Sequence, residues 1–329
     1  MGIPECEGLE SWPDEEADYS EAAASSRNCV PTELSGLRLD QVLARLWPQH
    51  SRSRLQDWVR DGHVSVAGDT CREVRRKVWA GEILEVVEQP GAQQSALQAE
   101  AIPLDLRHED ADILILAKPA GLVVHPGSGN WSGTLLNGLL HYLPQARELP
   151  RAGIVHRLDK DTSGLMVVAK TLAAQTDLVR QLAARSVKRH YLALASGRVA
   201  AAGTVDAPIG RHPQQRTRMA VVQGGKPART HYSVLEYLPA ASLLRCELDT
   251  GRTHQIRVHM ASLGHPLLGD QLYAERATAA RFGRQALHAC RLELLHPRSG
   301  LPMHWELPLP DDMAALLQRL RAERDTKSV

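Results

Sequence analysis

IVHRLDKDTSGLMVVAK, residues Ile154 to Lys170, is a polar loop held between apolar arms. Two β-branched residues open it and the apolar run Leu165 to Ala169 closes it, a pattern that predicts strand, tight loop, strand. The loop concentrates His156, Arg157, Asp159, Lys160, Asp161, Thr162, Ser163 and Gly164. A rigid sheet with such a loop at its end can present reactive groups. The plainer alternative is a Gly-terminated turn whose Asp and Ser bond their own backbone.

On the N-terminal side, Ile113 to Ala117 reads as a buried strand leading into Lys118-Pro119-Ala120-Gly121 and then LVVHPG. Pro119 and Gly121 force a tight bend, which gives that segment a scaffolding role. Thr134 to Tyr142 reads as a helix with Leu135, Leu136, Leu139 and Leu140 on its apolar side. On the C-terminal side, Leu172 to Ala184 is an amphipathic helix with apolar Leu172, Leu178, Val179 and Leu182. A basic turn, Ser186 to His190, then enters a strand that carries Tyr191. Residues 197–232 hold Gly210-Arg-His, Arg216, Arg218, Lys226 and Arg229, a candidate RNA-backbone contact or an exposed basic loop. Further on comes TGRTHQIRVHM, Thr250 to Met260, continued by PLLGD, Pro266 to Asp270. His254 and His259 are five apart, would not share a helical face, and have no third ligand type nearby; structural histidines fit better than a metal pair.

Three of these strings, KPAG, HRLDKDTSG and GRTHQIR, occur in the order found in the ribosomal large-subunit pseudouridine synthases, and the chain resembles that family in its branch of A, C and D types. The resemblance implies an α+β fold: a catalytic domain around a largely antiparallel mixed sheet. It implies a cofactor-free isomerase acting on uridine in RNA, with Asp159 as the catalytic carboxylate. It also implies Arg257, the last Arg of GRTHQIR, as the cation that keeps Asp159 ionised, and Tyr191 as the platform for the target base.

Residues 36–88 form a smaller unit. Leu37, Leu39, Val42, Leu43 and Leu46 recur at helical spacing until Pro48, and SRSRLQDWVR begins on Ser51 as a candidate N-cap and stops at Gly62. Two short strands follow, HVSVAG and EILEVV, linked through a basic segment. This arrangement resembles the S4 RNA-binding domain (α-L type), which implies phosphate contacts at Arg52, Arg54, Arg60, Arg75, Arg76 and Lys77; a solvated charged face is the alternative for each. An appended RNA-binding unit fits the C or D types, and the D type is nearest. That implies 23S ribosomal RNA of the large-subunit precursor as partner, at a hairpin loop. The expected domains are an acidic disordered tail over 1–35, the S4 unit over 36–88, a polar linker over 89–101, the catalytic domain over 102–310 and a charged helix over 311–329, docked only through Met313, Leu316, Leu317 and Leu320.

Composition agrees. The chain has 329 residues and is 43% hydrophobic, enough to bury two cores. Its net charge is +1, but residues 1–27 carry eight acids against Arg27; subtracting that −7 leaves +8 for the remainder, a body suited to a polyanion. Five scattered cysteines with no C-x-x-C spacing suggest neither disulfides nor zinc and fit a reducing cytoplasm. No apolar run approaches the roughly 18 residues of a membrane span, and no export signal is expected. A cytoplasmic monomer that contacts no membrane and needs no metal is the expectation.

Converting uridine to pseudouridine breaks the base-to-sugar bond at nitrogen and remakes it at ring carbon, so nothing is added or lost. The uridine must first leave its stack. Whether Asp159 attacks the sugar carbon or first removes a sugar proton is left open by sequence. Arg157, two residues away, is a candidate to fill the gap left by the flipped nucleotide; bracing the loop is the other reading. Two competitors are a non-catalytic RNA-binding factor and a hydrolytic glycosidase using Asp159 and Asp161 as paired carboxylates. The first could dispense with Asp159, Tyr191 and Arg257, all present here; the second would release free uracil.

Overall fold

The computed structural model describes residues 25–88, 97–127, 130–215 and 218–327. The acidic stretch through residue 24, residues 89–96 of the expected linker, and Arg216 lie outside them. The chain divides into two compact units, Met1–Gly91 and Ala92–Val329.

The first unit is a four-stranded antiparallel sheet, in the order β1-β4-β2-β3, with two helices. Its strands are β1 (Ser25–Cys29), β2 (Val64–Val66), β3 (Asp69–Thr70) and β4 (Ile83–Val87). Its helices are α1 (Leu39–Leu46) and α2 (Arg52–Asp61). Ser51 Oγ accepts from Arg54 N at 3.4 Å to begin α2, and Gly62 ends it at φ 85°, a conformation open to glycine. Leu39, Val42, Leu43, Leu55, Trp58 and Val59 all face one core. The tail expected over 1–35 therefore cannot extend to residue 35: Ser25 to Cys29 pair with β4, and Val30 and Leu34 are buried in the core beside it.

The second unit is built on a nine-stranded sheet ordered β5-β6-β7-β14-β8-β13-β12-β9, with β15 paired to β14. These are β5 (Asp105–Glu109), β6 (Ile113–Lys118), β7 (Ser163–Ala169), β8 (Lys188–Ser196), β9 (Ala202–Asp206), β12 (Arg229–Leu238), β13 (Ala241–Leu248), β14 (Leu287–Leu295) and β15 (Pro302–Glu306). β10 (Ile209–Arg211) and β11 (Met219–Val221) form a separate hairpin. Every pairing in the large sheet is antiparallel except β7 with β14, where Ser163 meets His288 and Gly164 meets Ala289. At that seam Gly164 has φ 123°, and a Cβ there would stand 2.2 Å from Ala289 O. Only glycine allows the two strands to meet.

Alternation along the strands sorts the core onto both faces of the sheet. Leu114, Leu116, Met166, Val168, Tyr191 and Ala193 face α3 (Leu135–Tyr142) and α5 (Gln255–Ser262). Ile113, Ile115, Leu165 and Val167 face α4 (Leu172–Ala183) on the other side. The short α6 (Arg276–Ala279) precedes β14, and α7 (Asp311–Lys327) closes the chain. Met313, Leu316, Leu317 and Leu320 of α7 are buried as expected, but docking is not through them alone: Arg321 and Arg324 both bond Glu236.

Three further expectations need correction. Ile154 makes a single bridge to Val168 rather than a strand, because Val167 N donates to His156 Nε2 at 3.1 Å instead of to a neighbouring backbone. On α4, Leu172 and Val179 are exposed; the buried face is Ala174, Gln175, Leu178 and Gln181. The last linker residues belong to the catalytic unit, since Asn137 Nδ2 donates to Gln98 O at 2.8 Å and Glu100 N to Asn137 O at 3.1 Å.

Candidate active site

The loop from His156 to Thr162 is fixed by the elements around it. Lys118, at the end of β6, is only 1% exposed and donates to Pro119 O, Leu122 O and Lys160 O at 2.7, 2.8 and 2.9 Å. Burial pulls its ammonium down to about 7, opposed by the nearby Asp161 and Asp159; the three carbonyls use all three N–H donors of the charged form. Gly121 N donates to Lys160 O at 2.9 Å, and Arg284 Nη1 donates to Asp161 O at 3.0 Å. KPAG thus scaffolds the loop as expected, with Lys118 as the side chain that does so. Sequence reading passed over it because a Lys ordinarily sits on the surface.

Within this loop Asp159 opens, and Asp161 sits inside, a turn closed by Thr162 N donating to Asp159 O at 3.1 Å. They are not on a strand, so alternation does not pair them, and the glycosidase reading loses its structural basis.

Asp159 faces Arg257, which the third position of α5 carries into the site. Arg257 Nη1 donates to Asp159 Oδ2 at 3.1 Å. Its Nε and Nη2 donate to Asp270 Oδ2 and Oδ1 at 2.8 and 2.9 Å, a bidentate pair. Asp270 is fully buried and also accepts from Leu272 N and Tyr273 N. Burial would lower the guanidinium's pKa, but the two carboxylates outweigh it and raise it. Arg257 is therefore a permanent cation, aimed by Asp270 at Asp159. Asp270 closes the PLLGD string; nothing in its spacing from Arg257 marked it as a partner.

His254 is hydrogen-bonded as expected, and it also stands beside the site, which its sequence reading did not include. It starts α5 at φ 57°, left-handed for a non-glycine residue. Its Nδ1 bonds Tyr273 Oη at 2.7 Å and its Nε2 stands 4.0 Å from Asp159 Oδ1. Burial lowers its pKa, against the pull of Asp159, so the ring is neutral near pH 7. His259, by contrast, is structural as expected, bonded to Thr230 Oγ1 and Ala207 O at 2.9 and 3.0 Å. The two do not form a metal pair. Among the described residues, Asp110, Asp112 and His296 form the one group close enough to share a cation, but Arg298 already holds Asp112 and His108 holds Asp110.

Tyr191 lies on β8, buried in the main core, and its ring lines the same cavity as Asp159, His254, Leu248 and Ile256. Burial raises its hydroxyl pKa. It is thus a core tyrosine that also reaches the cavity wall. Arg157 is exposed, rims the cavity and makes no side-chain hydrogen bond or ion pair among the described residues. In the first unit, Arg75 and Lys77 are exposed. Arg52 Nη2 instead donates to the buried Asp40 at 2.6 Å, Arg76 pairs with Glu82 at 3.5 Å, Arg60 with Asp57 at 2.5 Å, and Arg54 lies 4.9 Å above the Trp58 ring. Of the basic residues between 197 and 232, Arg229 is engaged by Asp206.

The sequence matches two family models: RNA pseudouridylate synthase over residues 112–262 and the S4 domain over residues 37–84. Ribosomal large subunit pseudouridine synthase D of Nitrosomonas europaea is 59% identical over 317 residues, covering 92% of this chain and 91% of that one. The protein of that name from Escherichia coli K12 is 50% identical over 300 residues, covering 88% and 92%. Among solved structures, human RNA pseudouridylate synthase domain containing 1 aligns over 71% of this chain and 98% of its own at 28% identity, with a TM-score of 0.52. Domain containing 4 aligns over 66% and 93% at 26% identity, with a TM-score of 0.51.

Proposed function

The chain belongs to the RNA pseudouridylate synthase family, and on that premise we propose that it isomerises uridines in a hairpin loop of 23S ribosomal RNA, with Asp159 acting on the ribose of a flipped nucleotide. One observation carries the assignment: Asp159 is held 3.1 Å from an arginine that a buried second carboxylate locks in place. That guanidinium fixes where the carboxylate meets the cavity. Both conceivable openings, attack on the sugar carbon or removal of a sugar proton, draw on the same ionised oxygen. The N-glycosidic bond then breaks, the uracil turns, and its ring carbon bonds to the sugar while giving up its proton. Atoms and electrons balance within the substrate, so the residues need only hold, orient and move a proton.

Tyr191 stacks against the detached base, its hydroxyl positioned to help move the ring proton. Arg157 enters the space vacated in the RNA, for which its exposed guanidinium, without an ion pair among the described residues, is available. Arg52, Arg54, Arg75, Arg76 and Lys77 meet RNA phosphates, with Arg75 and Lys77 the better candidates because they are exposed and no carboxylate among the described residues pairs with them. No described helix is long and apolar enough to cross a membrane; the RNA substrate supports a cytoplasmic site of action. Mapping pseudouridine in large-subunit RNA from cells with and without this protein tests the reading. Loss of pseudouridine at a few hairpin positions is expected; an unchanged map would contradict it.

A further inference from the structure

A cavity of about 790 Å³ adjoins the catalytic one and is lined by Arg151, Arg157, Arg185, Arg189 and Arg252. Four of these behave as surface residues, but Arg189 does not. It is 8% exposed and makes no hydrogen bond or ion pair among the described residues; its Nε is buried without a partner. The carboxylate in the lining, Asp249, is taken by His231 and Arg229 at 3.3 and 3.8 Å. Burying an unpaired cation costs several kcal/mol. A chain that keeps one in a substrate cavity has left room for an anion.

The backbone around it is shaped for that guanidinium. A Cβ at Gly251 would stand 2.7 Å from Arg189 Nη1, so glycine is what lets the fork lie there. Arg189 precedes Tyr191 by two on β8 and shares its face, roughly 7 Å along the strand. An anion on Arg189 and a base on Tyr191 are thus about one nucleotide apart. The arginines supply the charge of the lining, while His125 and His156 stay neutral there, their pKa values lowered to about 4 and about 3 chiefly by burial and further by Arg151 and Arg157 for the one and Arg189 for the other.

We propose that Arg189 is the receptor for one backbone phosphate flanking the target uridine, its planar fork gripping two phosphate oxygens beside the base platform. This rests on the reading of the neighbouring cavity as the uridine site. The phosphate supplies the missing counter-charge, so substrate binding is coupled to relief of a buried charge.

The test uses the full-length protein, a large-subunit RNA hairpin, and single neutral methylphosphonate linkages placed on either side of the target, each in a 2′-deoxy nucleotide with its phosphodiester control. In the wild type one linkage alone should cost about 10- to 100-fold in affinity, the range of a charged hydrogen bond. Arg189→Gln should lose a similar factor on unmodified RNA and nothing further at that linkage. Without RNA it should melt at or above the wild-type temperature, since an uncompensated buried charge has gone; a merely structural arginine would lower it. Arg189→Lys, which keeps the charge but not the fork, should fall between. A linkage penalty that persists undiminished in Arg189→Gln, or no linkage-specific penalty in the wild type, would overturn the proposal. A linkage-specific penalty without any pseudouridine formed would contradict the catalytic reading and leave the phosphate site standing.

Discussion

Arg257 joins two carboxylates of different duty. Asp270 is buried and accepts two of its N–H bonds, so it sets where the guanidinium points; Asp159 accepts a third, from Nη1, at 3.1 Å and meets the cavity. Replacing Asp270 by Asn weakens the aim without touching substrate. The expected outcome is a fall in kcat of about 10- to 100-fold with KM nearly unchanged, since misplaced catalytic groups act mainly on the transition state. Steady-state kinetics on a hairpin substrate checks this, and an unaltered kcat would mean that Arg257 holds its position alone. Asp159 and Arg257 were legible as candidates because each sits inside a recognisable string, and Tyr191 only through the family resemblance. Asp270 and His254 were not. Their partners lie 13 and 19 residues away around a loop, and no periodicity records a bond between a loop aspartate and a helix arginine.

At the scale of elements, the site depends on one seam. β7 follows the catalytic loop, and its two-residue parallel pairing with β14 joins the β5-β6-β7 half of the sheet to the half carrying Tyr191. Gly164→Ala puts a methyl 2.2 Å from Ala289 O at φ 123°. A destabilisation on the order of 3 kcal/mol or more is expected from overpacking and backbone strain together, read as a shifted denaturant midpoint. A midpoint within error of wild type would show that the seam can part without cost. Strands β6 and β7 were readable as apolar runs, and α3 as a helix with a Thr134 cap. The strand expected at Ile154 fails because a buried histidine, invisible as an acceptor in sequence, takes the Val167 N–H. The stripe expected on α4 fails because Gln175 and Gln181 are buried through bonds to Pro150 O and Leu295 O.

Across the whole molecule, two units divide the work: a small arginine-bearing one and a large one holding the chemistry. The division was legible from the polar segment between them, while the strand at Ser25 was masked by its small polar residues. The catalytic unit also carries a pH signature. Burial holds His156 at about 3, against an ordinary 6.5. As pH falls below about 6.5 the unfolded chain takes up a proton that the folded ring refuses, so stability drops through that window by up to about 1.4 kcal/mol per pH unit and is unaffected above it. His156→Gln should therefore lose less melting temperature than wild type between pH 7 and pH 5; equal losses would remove His156 as a source. The account as a whole turns on the Asp159 carboxylate. Its most direct measurement is single-turnover pseudouridine formation by the full-length Asp159→Asn protein on a hairpin that it demonstrably binds. The expected result is affinity close to wild type with turnover lowered by more than about 10³-fold. Turnover near the wild-type rate would contradict it.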